Sequence, residues 1–289
     1  MVPAKSSKSP ASRNFPSRSA CLPRICAAIY KSGQPVFSRS RLKLYSSLKE
    51  KKARQELGLF IAEGHKIVGE GLRSSCPCEI VFVREGFFGQ NEETDQLLSN
   101  QRVEVLDDQD FGKLAGTEAS QGVVGIFDFR SLIVPRLEGQ RIVALYDVAD
   151  PRNLGTILRT ADWFGLHDIL IGETCVDPFN EKVIRSTMGS IFHSRFSVAE
   201  DLIESLRSLK GTHRILTADL GGPDYRSASW AGSSAVVFSN EARGPSDAIL
   251  ALTDTILTIP GRGRAESLNV ASAAAIILAA VPYTEKVMV

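Results

Sequence analysis

The chain has 289 residues, 43% of them hydrophobic, with 34 Lys and Arg against 33 Asp and Glu, enough for one large globular domain or two modest ones. No stretch approaches the roughly 20 apolar residues of a membrane-spanning helix; the longest apolar run, residues 270–282, is short and Ala-rich and reads as a buried helix. Ten of the Lys and Arg precede Glu50 and no Asp or Glu does, so residues 50–289 carry 24 basic and 33 acidic groups, a sign that disfavours a broad nucleic-acid surface.

Residues 1–38 are rich in Ser, Pro, Lys and Arg and lack periodic apolar positions. Two readings stand side by side: a disordered basic tail on a cytoplasmic protein of bacterial type, or a transit peptide, basic and free of acid, that directs the chain to a mitochondrion or plastid. From Ser38 the pattern becomes periodic. A helix, a short strand at 59–62 and a helix from about Gly64 are followed by strands at 78–85 and 102–107. A capped helix in "DDQDFGKLAG" and a strand at 121–129 complete a small α/β domain over 39–129. Residues 130–140 contain Pro135 and read as a linker. The second domain, 141–289, alternates strands at 141–148, 168–173, 214–219, 234–240 and 254–260 with helices near 154–164, 181–190, 200–209, 246–252 and 268–280. Apolar strands alternating with helices imply a parallel sheet covered on both faces, with ligands bound beyond the carboxyl ends of its strands.

Five scattered Cys, an odd number without a framework, point to a reducing compartment. Cys76-Pro-Cys78 has no matching second pair, and His65, His167, His193 and His213 lack metal-ligand spacing. No metal site is expected.

Three segments start at expected strand ends. "DVADPRNLGTILRTADWFG" (147–165) leads through Asp150-Pro151 to Asn153 and a helix bearing Arg159; taken alone, Asn153 reads equally as a plain N-cap and Arg159 as a solvated cation. "VVFSNEARGPS" (236–246) delivers Asn240 and Glu241 into a turn at Gly244-Pro245, which by itself is a strand-to-helix loop. "IPGRGRAESLNVASAAAIILA" (259–279) runs from a Gly-Arg loop into Ser267, Asn269 and an apolar helix; Ser267 alone reads as an N-cap. The Walker pattern and the Rossmann Gly-x-Gly-x-x-Gly after the first strand are both absent.

In this order, the three segments resemble the signature motifs of the SpoU (TrmH-like) RNA 2'-O-ribose methyltransferases of the SPOUT class: Asn153 with Arg159, Asn-Glu-x-x-Gly at 240–244, and Ser-Leu-Asn-Val-Ala at 267–271. "DPFNEKVIRSTMGSIF" (177–192) resembles a further family segment, and "LFIAEGHKIVGEGL" (59–72) resembles the start of the substrate-binding domain many members carry. Two positions depart from the family pattern: Ser239 stands where Gly is common, and Thr187 where Ser is usual. The resemblance implies an α/β methyltransferase domain with a parallel sheet and a deep trefoil knot, behind a small ribosomal-protein-like RNA-binding domain. It implies a homodimer, and S-adenosylmethionine held by Ser239, Asn240, Gly244, Ile259, Gly261, Ser267, Leu268 and Asn269. It gives catalytic roles to Arg159, Asn153, Glu241, Ser267 and Asn269, without metal. The implied activity is methyl transfer to a ribose 2'-hydroxyl of RNA, ribosomal RNA before transfer RNA; the alternative is a catalytically silent RNA-binding assembly protein. Arg39, Arg41, Lys43, Lys49, Lys51, Lys52 and Arg54 form a cationic cluster that reads either as an RNA grip or as a solvated helix face.

Overall fold

The computed structural model describes residues 38–89, 91–117 and 119–282. Apart from Ser38, the basic segment 1–38 lies outside the described residues.

Two sheets organise the chain. The first has the order β1-β4-β2-β3, formed by β1 (Leu59–Glu63), β2 (Cys78–Arg84), β3 (Val103–Leu106) and β4 (Val123–Asp128). β4 runs antiparallel to β1 and β2, and β3 parallel to β2. Around it lie α1 (Arg39–Ser46), α2 (Lys51–Leu57), α3 (His65–Arg73), α4 (Glu92–Leu98) and α5 (Asp108–Leu114). Sequence reading did not find α4. It has seven residues, crowds three acids into its first turn and buries Leu98 as its only large apolar side chain, so it lacks a readable stripe; Asn91 fixes its start by capping Thr94.

The second sheet is wholly parallel in the order β10-β8-β9-β5-β6-β7. Its strands are β5 (Arg141–Tyr146), β6 (Asp168–Ile171), β7 (Arg195–Val198), β8 (Arg214–Ala218), β9 (Ser234–Ser239) and β10 (Thr255–Leu257). The helices are α6 (Pro151–Trp163), α7 (Glu181–Thr187), α8 (Leu202–Leu209), α9 (Asp247–Leu252) and α10 (Val270–Leu278). β5 and β9 bury four and six consecutive residues, as strands covered on both faces must. β7 escaped the sequence reading because it is an edge of four residues, Arg-Phe-Ser-Val, with only Phe196 fully buried. After edge strand β10 the chain returns as α10 to pack against α6 and β9.

The expected linker is a structural part. Phe129–Leu132 forms a 3-10 turn, Ile133 bridges Phe196, and the Val134 amide donates to the Phe196 carbonyl at 2.8 Å. One hydrophobic cluster then crosses between the sheets, with Phe60 and Phe127 of the first packed on Phe179 and Phe192 of the second side. Arg54, 2% exposed, crosses as well: its guanidinium donates to Asp177 at 2.5 and 2.8 Å and to the Leu48 and Lys49 carbonyls. A buried guanidinium requires such a saturated setting. Arg54 is therefore no part of an RNA grip. Lys49 donates to the Ala115 carbonyl, which leaves Arg39, Arg41, Lys43, Lys51 and Lys52 as the exposed cations of that cluster, Lys52 with Glu56 at 3.9 Å.

Candidate active site

All three segments start at the carboxyl edge of the parallel sheet, and side chains tie them together. The first tie involves Asp147, just past β5. Its φ of 56° is left-handed, a region Asp tolerates better than most residues. The turn brings its carbonyl to Asn240 Nδ2 at 3.3 Å and its carboxylate to Arg243 at 3.2 Å. Asn240 also shapes its own loop: its Oδ1 accepts from the amides of Ala242 and Arg243, and its carbonyl accepts from the Gly244 amide. Gly244 sits at φ 67°, where a side chain would be strained.

The second tie joins the first and third segments. Asp150, not Asn153, caps α6, with Pro151 at the first helical position. Asn153 thus lies inside the first turn with its side chain free, and its Oδ1 accepts from Asn269 Nδ2 at 3.0 Å. Asn269, not Ser267, caps α10, its Oδ1 accepting from the Ala271 and Ser272 amides. One asparagine therefore starts the apolar helix and ties it to the opposite segment. The plain-cap readings of Asn153 and Ser267 are both overturned, because each cap is supplied by a neighbour.

These ties frame a cavity of about 370 Å³. Phe238, Leu257, Val270 and Ile277 give it an apolar lining, residues of the 239–244 and 259–268 turns line it as well, and Asp219, Glu241, Glu266 and Arg262 contribute charge. Ser239, Asn240, Gly244, Ile259, Gly261, Ser267 and Leu268 all line it, as does Glu241. Asn269 does not: its side chain is used on the α10 cap and Asn153. Glu241 is exposed and, among the described residues, has no hydrogen bond or ion pair, so the charged anchor of the second segment is Arg243 on Asp147 instead. Sequence reading missed Asp147, Arg243 and Asp219; the run of charged residues directly after β5, β8 and β9 was the available signal.

Arg159 is not on the cavity wall. It points to solvent from α6, and among the described residues it has no partner. The family resemblance puts its guanidinium beside a cofactor held mainly by a partner chain, and the cavity of its own chain does not include it. Ser239 is buried at the end of β9, and Thr187 is buried with its hydroxyl donating to the Ile184 carbonyl at 2.7 Å. Both departures from the family pattern are thus accommodated without an unsatisfied hydroxyl at Thr187 or loss of the cavity at Ser239. Gly155 has a packing role, since a Cβ there would stand 2.3 Å from Ser186 on α7.

A volume of this size suits a small organic ligand. An apolar lining fits an adenine ring, and the carboxylates along it fit a ligand bearing sulfonium and ammonium charge, so the residues present suit S-adenosylmethionine. Among the described residues no cluster of His, Cys, Asp and Glu has metal-binding geometry. Burial pushes the Cys76 thiol up to about 11 and that of Cys78 to about 12, so neither is the thiolate a metal would bind at neutral pH. No helix among the described residues is long and apolar enough to cross a membrane.

Comparison with known proteins agrees with the motifs. Residues 140–279 match the SpoU rRNA Methylase family and residues 39–125 the MRM3-like substrate binding domain. The 23S rRNA (guanosine(2553)-2'-O)-methyltransferase RlmP of Bacillus subtilis is 33% identical over 241 residues, 82% of this chain and 94% of the relative. Among solved structures, an AdoMet-bound rRNA methyltransferase from Sinorhizobium meliloti is 30% identical with a TM-score of 0.71, covering 86% of this chain and 97% of that one. A putative RNA methyltransferase of the TrmH family from Porphyromonas gingivalis is 28% identical with a TM-score of 0.73, covering 86% and 98%. This chain belongs to the SpoU rRNA methylase family.

Proposed function

We propose that the chain transfers a methyl group from S-adenosylmethionine to a ribose 2'-hydroxyl of ribosomal RNA. The observation that supports this reading is that the second and third family motifs line one cavity while the first is tied to them, Asp147 by Asn240 and Asn153 by Asn269. The cofactor, when bound, supplies a methyl group on a positively charged sulfur. The protein's task is to bring a weakly acidic hydroxyl into line with that methyl, remove its proton and stabilise the alkoxide charge as the C–O bond forms and the C–S bond breaks. Arg159 is assigned the alkoxide. A guanidinium that stays protonated in proteins is a poor base, so the proton leaves to an RNA phosphate or to water. Asn153, held by Asn269, orients the ribose. Ser267 and the 239–244 backbone hold the cofactor, and Glu241 faces its cationic part.

Arg159 stands outside the cavity of its own chain, and the reading therefore includes a homodimer in which it meets the cofactor of the partner subunit. It also includes a knot: the return from edge strand β10 to α10 beside α6 and β9 is the path a threaded chain needs. The 39–129 region grips structured RNA through phosphate and 2'-hydroxyl contacts, with Arg39, Arg41, Lys43, Lys51 and Lys52 as its cations.

A catalytically silent reading is favoured by one observation, the solvent-facing Arg159. Incubating the full chain with ribosomal RNA and methyl-labelled S-adenosylmethionine separates the two. Label recovered in nucleotides whose 3'-phosphodiester resists alkali is the expected result; RNA binding without incorporated label would leave only the silent reading.

A further inference from the structure

We infer that the 259–268 loop is two-sided: Arg262 takes the carboxylate of the cofactor's amino-acid end, Arg264 takes a phosphate of the RNA, and each ligand therefore raises the affinity of the other. The inference rests on the methyltransferase reading above and adds how the site responds when both substrates are present.

The loop is tied at its ends and nowhere between. Before it, the Thr258 amide donates to the Pro223 carbonyl at 3.0 Å and the Thr258 hydroxyl to the Asp219 carbonyl at 2.8 Å. After it, Asn269 caps α10 and holds Asn153. Among the described residues no hydrogen bond or ion pair involves 259–268, and every residue from 261 to 269 is exposed. The 239–244 turn, which lines the same cavity, is braced by Asn240 instead. At Gly261 and Gly263 no atom stands within 4 Å of where a side chain would begin, so packing does not keep those positions small; what they give the loop is backbone freedom. A segment so loosely tied loses that freedom when one ligand orders it, and a second ligand then binds the ordered segment at lower cost.

The two arginines of the loop face different ligands. Arg262 is the one cation among the residues that line the cavity, in company with Asp219, Glu241 and Glu266. Those carboxylates suit the sulfonium and ammonium of S-adenosylmethionine and repel its carboxylate, which Arg262 can hold. Arg264 is the only residue of 259–268 that does not line the cavity, which puts its guanidinium on the side of the loop away from the cofactor. It is exposed and, among the described residues, has no carboxylate partner. Arg73, Arg130, Arg207 and Arg226 are surface arginines that each hold one. A target ribose carries a phosphate on either side, so an anion comes to the cavity whenever a 2'-hydroxyl does. Arg159, brought by the partner subunit, is engaged with the alkoxide; Arg264 is left for that phosphate.

The test is equilibrium dialysis of labelled S-adenosylhomocysteine, which keeps the carboxylate and has no methyl to transfer, against the full chain with and without saturating ribosomal RNA transcribed in vitro. Wild type should bind it about five-fold more tightly with RNA, the lower end for coupled sites, and RNA affinity should rise by the same factor when S-adenosylhomocysteine is present. Arg264→Ala should bind it as wild type does without RNA and show no tightening with RNA; Arg264→Lys should restore most of the tightening. Arg262→Ala should weaken S-adenosylhomocysteine about five-fold, the upper end for an exposed ion pair, and leave 5'-methylthioadenosine, the same nucleoside without the amino-acid end, unchanged. Equal effects of Arg262→Ala on the two nucleosides would overturn the inference. So would full tightening in Arg264→Ala, above all in a protein that sediments as a smaller species, since Arg264 would then lie against a second chain. Wild type that binds S-adenosylhomocysteine equally with and without RNA strikes this inference and leaves the methyltransferase reading standing; wild type that does not bind it at all strikes both.

Discussion

The two ends of the parallel sheet are built from the same strands and treat polar groups in opposite ways. At the amino end most charged groups are held by the protein's own atoms, although Asp168 Oδ2, Arg141 Nε and Ser234 Oγ are buried there without a hydrogen-bond partner among the described residues. Asp168, 2% exposed, starts β6 and accepts from Arg195 of β7 at 2.6 Å, and that bond raises the guanidinium above its ordinary value. Arg141 donates to the carbonyls of Trp230 and Gly232, Arg214 to Ser229 and Thr255, and His213 lies 2.9 Å from the Gly139 carbonyl. At the carboxyl end the backbone turns left-handed at Asp147, the ion pair there leaves Arg243 largely in water, and Arg152, Arg159, Arg262 and Arg264 find no partner among the described residues. The arginines at the amino end are held by the protein itself. The carboxyl end keeps donors and carboxylates for ligands.

The comparison can be broken by moving the same kind of side chain at each end. The largest expected effect is on turnover at the carboxyl end. Arg159→Ala should lower methyl transfer by about 10²–10³-fold, the range for removing a group that stabilises developing oxyanion charge, with the melting temperature unchanged. At the amino end the effect should be on stability alone. Arg195→Ala leaves a buried carboxylate without its cation; because Arg195 is half exposed the expected cost is about 1–2 kcal/mol, seen as a lower urea midpoint at constant slope, with activity per folded molecule retained. Equal turnover losses from the two substitutions would erase the distinction.

Asn269 has both kinds of role, and two replacements separate them. Asn269→Ala removes the α10 cap, costing about 1 kcal/mol, and the tie to Asn153. Asn269→Ser preserves a capping oxygen but has no amide to reach Asn153. The Ser variant should therefore melt like wild type yet transfer methyl several-fold more slowly; full activity in that variant would make the tie irrelevant to catalysis. The smallest expected effect belongs to Arg243→Ala. A largely exposed ion pair contributes less than about 1 kcal/mol, so cofactor affinity should fall only a few-fold, with less difference from wild type at high salt.

The site was more legible in the sequence than the way it is held. Ser239, Asn240, Gly244, Ile259, Gly261, Ser267 and Leu268 were legible through the resemblance of their short motifs to the family's, and every one of them lines the cavity. Which residue caps α6 or α10 is decided within one or two positions, and both Asp150 and Asn153, or both Ser267 and Asn269, are competent caps. Backbone geometry chose Asp150 and Asn269, and that choice frees Asn153 for a partner 116 residues away. Charges after β5 and β9 could have drawn notice to Asp147 and Arg243 singly, but not to their pairing, because nothing in a sequence marks a left-handed Asp. The packing of the 130–140 linker was not legible for a related reason: Pro135 signals a break in regular structure, whereas Leu132, Ile133 and Leu137 are held by contacts with distant elements. Arg54 looked like one more cation in a basic run, and only burial against Asp177 distinguishes it.

The central claim is that the cavity under the 239–244 and 259–268 turns is where S-adenosylmethionine binds. Ala273 lines it from α10, and Ala273→Phe would occupy the space a ligand needs. Calorimetric titration of S-adenosylmethionine into wild type, Arg159→Ala and Ala273→Phe tests this directly, with circular dichroism to establish that each variant is folded. Micromolar binding by wild type and by Arg159→Ala, and none by folded Ala273→Phe, is the expected result. Undiminished binding by folded Ala273→Phe, or no binding by wild type, would contradict it.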